Sequence, residues 1–332
     1  MTGLGTYRPA RVVDNAEVCR NIDSTAEWIE SHSGIRARRY ANRDETLAVM
    51  AAQAGAKAVA AAGLDVSELD CVIAASMSNL VQTPPLAVAV AHELGAVNAA
   101  GFDLSAACAG FCHALSVAGD MVSLGQAEHV LVVGTERMTD IVDPTDRSIA
   151  FLFADGAGAV VVGPSPVPGI GPTLRGADGG SLGALRMNTS WQAFRADPSL
   201  DPPMMKMDGQ RVFRWAVDQV VGACRRALDA AGLTADQLAA FIPHQANMRM
   251  IEVFERRLGL PGHVVVADDV RTSGNTSSAS IPLAMERLLA QGLVEPGAPA
   301  LLAGFGAGLN YAAQVALLPW PTRDPAAPGA PR

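Results

Sequence analysis

The chain has 332 residues, 49% of them hydrophobic and 17% charged, with 32 glycines and a formal net charge of -8. That composition excludes a disordered chain, supplies apolar surface for a large core in one or two domains, and argues against phosphate-backbone binding as a main role. No run of eighteen apolar residues lacks charge or turn signals, the first residues carry no signal or transit pattern, and the five scattered cysteines suit reduced thiols, so a cytoplasmic protein bound to neither membrane nor nucleic acid is expected.

In chain order, hydrophobic periodicity predicts a helix over 46–62, a buried strand over Cys71–Ala75, helices over 84–94 and 110–124, and strands over 130–133 and 159–162. Beyond these come a helix over 211–231, a strand over 241–243, a helix over 248–258, a strand over 264–266, a helix over 278–290 and a strand over 300–303. Strands alternating with helices of this length predict an α/β protein with mainly parallel sheets. In the 211–231 helix, Val212, Val217, Val220, Val221, Cys224 and Leu228 define a core face, with Arg214, Asp218 and Arg225 between them.

The Pro/Gly-rich segment 165–172 divides the chain into halves, 1–165 and 170–318. Asp155-Gly-Ala-Gly-Ala-Val-Val-Val is echoed by Gly306-Ala-Gly-Leu-Asn-Tyr-Ala-Ala, each preceding a closing apolar run, which predicts an internally duplicated fold. The stretch 178–208 lacks periodicity and carries Trp191, Phe194 and four methionines; a lid, a dimer contact and an ordered surface excursion all suit it. The Pro/Ala-rich tail 319–332 is expected to be disordered.

Gly101–Phe111 runs from an apolar strand through small residues into a helix, setting Cys108 at a tight strand-to-helix turn. Proximity to a helix N-terminus favours a thiolate there, although free cysteines commonly serve as small buried hydrophobes. Cys112 and His113 invite a metal reading, but no second ligand pair has matching spacing, so helix packing suits them better and no metal site is expected. His244 follows a short strand and precedes a helix, where a neutral imidazole can donate a hydrogen bond or serve structurally. Asn275 lies among small residues at a helix start, suited either to capping or to a polar site.

These segments together resemble the β-ketoacyl-[acyl carrier protein] synthase III family, starter condensing enzymes of the thiolase fold. The resemblance rests on Ala106-Ala-Cys-Ala-Gly-Phe111, Pro243-His-Gln-Ala-Asn247, Gly274-Asn-Thr-Ser-Ser-Ala-Ser280 and Phe305-Gly-Ala-Gly308, in the family's order and separations. Weaker supports are Glu27-Trp-Ile29 with Ser33-Gly-Ile-Arg36, Asp143-Pro-Thr-Asp-Arg147, and Phe153-Ala-Asp-Gly-Ala-Gly158.

What the resemblance implies is an α-β-α-β-α layering of two duplicated α/β halves and a ping-pong condensation. Cys108 would take an acyl group from acyl-CoA, with the backbone N–H groups of Cys108 and Ala307 as the oxyanion hole. His244 and Asn275 would donate to the enolate formed when malonyl-[acyl carrier protein] loses CO2, and Phe305 would shield the leaving carboxylate from water. Trp28 and Arg147 would sandwich the CoA adenine, with Gly209, Phe213, Asn247 and Arg249 lining the pantetheine path. Arg214, Arg249, Arg256 and Arg257 would form a basic docking patch for the acidic acyl carrier protein, or are simply solvated arginines. Thr83 replaces a bulky residue of some relatives, implying room for branched or longer primers. Two departures stand out: His32 where arginine is frequent, and Ala307 where glycine is frequent.

By the same resemblance acyl-CoA and malonyl-[acyl carrier protein] are substrates, no cofactor is needed, the enzyme is a homodimer, and a start upstream of Met1 is expected. A starter ketosynthase or acyltransferase of specialised metabolism uses the same residues, though His244 and Asn275 together favour carbon–carbon bond formation. A silent partner subunit typically lacks the nucleophile that Cys108 supplies. Type III polyketide and hydroxymethylglutaryl-CoA synthases share the Cys-His core, but the basic patch and Gly274–Ser277 fit the carrier-protein enzyme better.

Overall fold

The computed structural model describes residues 1–320, and in it each apolar run singled out above falls on a strand. The first half contains β1 (Gly3–Tyr7), β2 (Arg11–Asp14), α1 (Asn15–Val18), α2 (Ala26–Ser33), β3 (Ala37–Tyr40), α3 (Leu47–Ala62), β4 (Cys71–Ala75), α4 (Leu86–Leu94), β5 (Ala100–Leu104), α5 (Gly110–Ser123), β6 (Val130–Arg137) and β7 (Asp155–Val162). The second contains β8 (Leu174–Ala177), β9 (Leu185–Met187), α6 (Trp191–Ala196), β10 (Met205–Met207), α7 (Gly209–Ala231), β11 (Ala240–Pro243), α8 (Met248–Leu258), β12 (Val265–Val266), α9 (Val270–Ser273), α10 (Ser280–Ala290), β13 (Pro299–Gly306) and β14 (Asn310–Leu317).

Two five-stranded sheets result, ordered β1-β7-β6-β4-β5 and β8-β14-β13-β11-β12, so corresponding strands occupy corresponding places. In each sheet the first two pairings are antiparallel and the last two parallel. The expectation of mainly parallel sheets is therefore corrected. No crossover helix separates β6 from β7, and only the three-residue turn Ala307–Leu309 separates β13 from β14, so both second strands must turn back antiparallel. The glycine echo is corrected as well. The ladders pair Arg137 with Asp155 and Gly306 with Asn310, so Gly156–Gly158 lies inside β7 while Gly306–Gly308 runs from the end of β13 into the turn before β14. The repeat is real in topology; those two glycine clusters are not its equivalent residues.

Five layers follow from which face each element buries. α5 and α10 lie between the sheets, packed with Val130, Val132, Ala300 and Leu302; α3 and α4 cover the outer face of the first sheet, where Leu131 and Val133 point; α7 and α8 cover the second. Strands buried on both faces read as unbroken apolar runs, which is why β6 was legible. α7 buries the predicted valines, Cys224 and Leu228 and exposes Arg214, Asp218 and Arg225. α3 can lie directly on β1 because Gly3 and Gly5 lack side chains: a Cβ there would come within 2.1 Å of the Ala58 carbonyl oxygen or 2.2 Å of that of Ala54.

The aperiodic stretch 178–208 is ordered. It forms a short 3-10 segment, the β9–β10 ladder and α6, with Met205 packed against the cluster containing Ile29, Phe151 and Met248. Lys206 Nζ, 2.7 Å from Asp146 Oδ2, ties this segment to the loop bearing Arg147. Among the described residues no helix is long and apolar enough to cross a membrane. The predicted disordered tail lies, beyond Trp320, outside the described residues.

Candidate active site

Cys108 occupies the middle of a 3-10 turn, Ala107–Ala109, that leads from β5 into α5. The turn is entered through Ala107 at φ 49, a left-handed conformation that non-glycine residues rarely adopt. An equivalent turn, Ser277–Ala279, enters α10 through Ser277 at φ 48. The pseudo-symmetry thus sets Cys108 opposite Ser278, and the two strained turns meet between the sheets. Gly306 closes against the nucleophile: a Cβ on it would lie 2.8 Å from the Cys108 nitrogen and 3.1 Å from Sγ. Its φ of -176 is ordinary extended backbone, so space rather than conformation demands glycine. The left-handed positions of the next turn are Gly308 (φ 77) and Leu309 (φ 41), not Ala307. Alanine at 307 therefore carries no left-handed strain, and its backbone donor survives the departure.

The expectation that the helix N-terminus favours a Cys108 thiolate is corrected. The side chain is only 3% exposed, and burial, helped by the nearby Glu136 carboxylate, pushes the thiol up to about 12. A hydrogen bond from the Ser277 side chain pulls the other way but does not prevail.

His244 follows β11 at 2% exposure, its backbone N–H donating to the Ala303 carbonyl at 2.8 Å. Burial lowers the imidazole to about 3, so the ring is neutral, opposed only by a hydrogen bond with the Ser277 backbone. Nδ1 lies 2.7 Å from Ser280 Oγ, which also accepts from the Gln245 N–H at 3.2 Å. Phe305 stands edge-on to the His244 ring at 5.1 Å between centroids and is itself held by Phe254 at 5.4 Å. Asn275 is 4% exposed and bridges to Phe153. Its Oδ1 accepts the Ser277 N–H at 2.9 Å. That bond closes a local turn just ahead of the 3-10 segment and orients the amide nitrogen away from Ser277.

Ser277 bears on all three groups: its N–H bonds the Asn275 oxygen, its side chain draws the Cys108 thiol down and its backbone draws the His244 imidazole up. Sequence reasoning passed over it, and over Glu136 beneath it. That carboxylate, at the end of β6 and fully buried, accepts from the hydroxyls of Ser76 (3.1 Å), Ser78 (2.6 Å), Ser277 (2.9 Å) and Ser278 (2.8 Å), and from the N–H groups of Met77 and Ser78, each at 3.1 Å. Burial raises its pKa and the serine hydroxyls oppose the rise. The available signal was an acid immediately following an apolar strand.

The remaining predicted residues are placed as follows. Trp28 stacks on His32 at 4.2 Å, and the Arg147 guanidinium stands over the Trp28 ring at 5.2 Å. Gly209 begins α7 and is exposed, Phe213 is half-buried on the same helix, and Asn247 caps α8 by accepting the Met250 N–H at 3.0 Å. Arg214, Arg249, Arg256 and Arg257 are all exposed on α7 and α8. Thr83 is exposed in a loop before α4, outside this chain's own Cys108 site. Cys112 packs in the central core and His113 Nε2 lies 2.9 Å from Asn310 Oδ1.

A model of the 3-oxoacyl-[acyl carrier protein] synthase III family matches residues 102–179, and a model of that family's C-terminal region matches 228–318. The chain is 60% identical over 324 residues to a β-ketoacyl-[acyl carrier protein] synthase III of Streptomyces lividans, covering 98% of this chain and 96% of the relative. It is 50% identical over 327 residues to β-ketoacyl-[acyl carrier protein] synthase III 1 of Streptomyces coelicolor, covering 96% and 95%. Among solved structures, a priming β-ketosynthase of a polyketide biosynthetic pathway superposes with a TM-score of 0.95 at 60% identity, over 96% of each chain. The synthase III of Pseudomonas aeruginosa does so at 0.88 and 38% identity, over 96% of this chain and 97% of the other. The chain therefore belongs to the 3-oxoacyl-[acyl carrier protein] synthase III family of acyl-transferring condensing enzymes and has its thiolase-like fold.

Proposed function

We propose that the enzyme joins an acyl-CoA primer to malonyl-[acyl carrier protein], with Cys108 as nucleophile and His244 and Asn275 as donors to the enolate. The observation that supports this reading is that Cys108, His244 and Asn275 are all buried beside the two strained turns, with the imidazole neutral and the Asn275 oxygen already engaged by the Ser277 N–H. Cys108 attacks the thioester carbonyl and CoA leaves; the tetrahedral oxygen is held by the N–H groups of Cys108 and Ala307. Malonyl-[acyl carrier protein] then loses CO2, its enolate oxygen is stabilised by His244 and Asn275, and the carbanion attacks the Cys108 thioester. Phe305, packed on His244, keeps water from the departing carboxylate. Acyl-CoA and malonyl-[acyl carrier protein] are substrates, and no resident cofactor or metal enters these steps.

The CoA adenine is assigned to Trp28 and Arg147, which already stack and must part to admit a base between them. Gly209, Phe213, Asn247 and Arg249 line the way inward. Arg214, Arg249, Arg256 and Arg257 form the carrier-protein dock, supported by their exposure and by the absence of any ion pair on them among the described residues. A homodimer is proposed through β5, an edge strand left unpaired on one side with Phe102 38% exposed and Leu80, Val81, Val88 and Val97 exposed nearby. That arrangement carries Thr83 toward the partner's acyl pocket. Five free cysteines and an acidic surface accord with a cytoplasmic enzyme that binds neither membrane nor nucleic acid.

A second reading, a primer enzyme of specialised metabolism, is favoured by the 60% identity to a structure described as a polyketide priming ketosynthase. CO2 release from malonyl-[acyl carrier protein], measured with acetyl-, isobutyryl- and longer acyl-CoA primers against Cys108→Ala, tests both. Primer-dependent release with a β-ketoacyl product, lost in the variant, is the expected result. The primer that is used fastest names the starter, with a strict acetyl-CoA preference overturning the reading of Thr83, and thiol acylation without CO2 release overturns condensation in favour of acyl transfer.

A further inference from the structure

Glu136 sits where the two halves of the chain meet, and its two oxygens serve different sides. Oε2 accepts from first-half donors: the hydroxyls of Ser76 and Ser78 and the N–H groups of Met77 and Ser78. Oε1 accepts the hydroxyls of Ser277 at 2.9 Å and Ser278 at 2.8 Å from the second half, while the Met77 N–H reaches it at a longer 3.3 Å. β6 meets this second-half turn closely at Gly134, where a Cβ would come within 2.4 Å of the Ser278 carbonyl oxygen. Glu136 is two residues further along the same face of the strand, so its carboxylate reaches the turn directly.

Ser277 needs such a tie, because its φ of 48 is a strained conformation that persists only where the surroundings over-determine it. The turn in its own right controls Asn275. The Asn275 backbone is fixed independently, its N–H donating to the Leu152 carbonyl and its carbonyl accepting the Ala154 N–H, each at 2.9 Å. Those bonds leave the side-chain torsion free, and the Ser277 N–H sets it by holding Oδ1 at 2.9 Å.

We propose that Glu136 is a positioning residue for condensation: its carboxylate pins the strained Ser277 turn and the turn aims the Asn275 amide, an inference that rests on Asn275 being a donor to the enolate. Each link is a hydrogen bond of 2.9 Å, from Ser277 Oγ to Glu136 Oε1 and from the Ser277 N–H to Asn275 Oδ1. A donor released from this geometry loses the advantage of being aimed in advance at the charge it stabilises. Glu136→Gln strikes the first link. The Met77 and Ser78 N–H groups can only donate, so they hold the glutamine oxygen on their side and turn its NH2 toward Ser277 and Ser278. Ser278 keeps the Ala75 carbonyl as an acceptor at 2.8 Å, but the Ser277 hydroxyl that donated to Oε1 then faces a donor.

The two half-reactions are read separately, as acylation of Cys108 by acetyl- or isobutyryl-CoA and as CO2 release from malonyl-[acyl carrier protein] by the acylated enzyme. Asn275→Ala comes first: if it releases CO2 at the natural rate, the donor role fails and this inference with it. With that role intact, Glu136→Gln and Ser277→Ala should each lose about tenfold or more in CO2 release beyond any loss in acylation, whereas a merely structural defect slows both alike. Because the Ser277 backbone also bears on His244, a double variant assigns the route. Glu136→Gln combined with Asn275→Ala should release CO2 within about threefold of Asn275→Ala alone, since the amide to be aimed is already gone. Three results overturn the proposal: equal losses in both half-reactions, CO2 release by folded Glu136→Gln within about threefold of natural, or a further loss of about tenfold in the double variant. Should Glu136→Gln not fold, Ser277→Ala, which cuts the same tie from its other end, is judged by the same comparisons.

Discussion

Asn275 offers the cleanest separation of a structural role from the proposed chemical one, because the observed bond and the proposed donor fall on opposite ends of its side chain. Asn275→Asp keeps an oxygen where Oδ1 accepts the Ser277 N–H at 2.9 Å, but replaces the amide donor with a second acceptor. Asn275→Ala removes both. Loss of a cap-type bond costs about 1 kcal/mol of stability, whereas loss of one donor to a developing oxyanion costs about a hundred- to a thousandfold in rate, near 3 to 4 kcal/mol. The Asp variant should therefore melt close to the natural protein yet release CO2 from malonyl-[acyl carrier protein] at least about a hundredfold more slowly, since its charge also repels the enolate. The Ala variant should be both less stable and slow. Acylation of Cys108 by acyl-CoA, which precedes enolate formation, should change little in the Asp variant. Decarboxylation by the Asp variant within tenfold of the natural rate, or an equal loss in both half-reactions, would refute the donor role.

Three other outcomes follow from the geometry. Gly306→Ala places a Cβ 3.1 Å from Cys108 Sγ and 2.8 Å from its nitrogen, so the folded variant should lose acylation by about tenfold or more; unchanged acylation kinetics would show that Gly306 does not set the sulfur. His244 is neutral in the fold with a pKa of about 3 and protonates near 6.5 once unfolded, so its contribution is fully present above pH 6.5 and is lost as pH falls toward 3, at about 1.4 kcal/mol per pH unit. Urea unfolding between pH 6 and 4 should accordingly show a shallower slope in His244→Asn than in the natural protein, and equal slopes would contradict this. Gly5→Ala forces a Cβ within 2.2 Å of the Ala54 carbonyl oxygen and should cost about 1 to 3 kcal/mol without altering acylation per folded molecule; a melting temperature equal to that of the natural protein would discount the close α3–β1 approach.

Much of the fold is legible in the sequence alone. Strands such as Cys71–Ala75 and Val130–Val133 are buried on both faces, so their apolar runs are continuous and stand out against turn residues. The α7 face could be counted because 3.6-residue periodicity survives wherever one side meets solvent. Cys108, His244 and Asn275 each sit where a strand or loop gives way to a helix among small residues, a local pattern that a linear string preserves. The direction of β7 and β14, by contrast, depends on the length and path of connections whose residues carry no periodicity, and the glycine echo pointed to duplication through positions that the ladders do not equate.

The sequence by itself determined the α/β class, the core faces of the main helices and the three side chains proposed to carry the chemistry, because periodicity and small-residue context act over a few neighbouring positions. Only the tertiary structure decided what those side chains experience. Ser277 and Glu136 are 141 positions apart, and neither is unusual in its own segment. Their contact, the neutrality of His244 and the high pKa of the Cys108 thiol arise where two strained turns from opposite halves are pressed together between the sheets, since desolvation and hydrogen bonding depend on distance in space rather than along the chain.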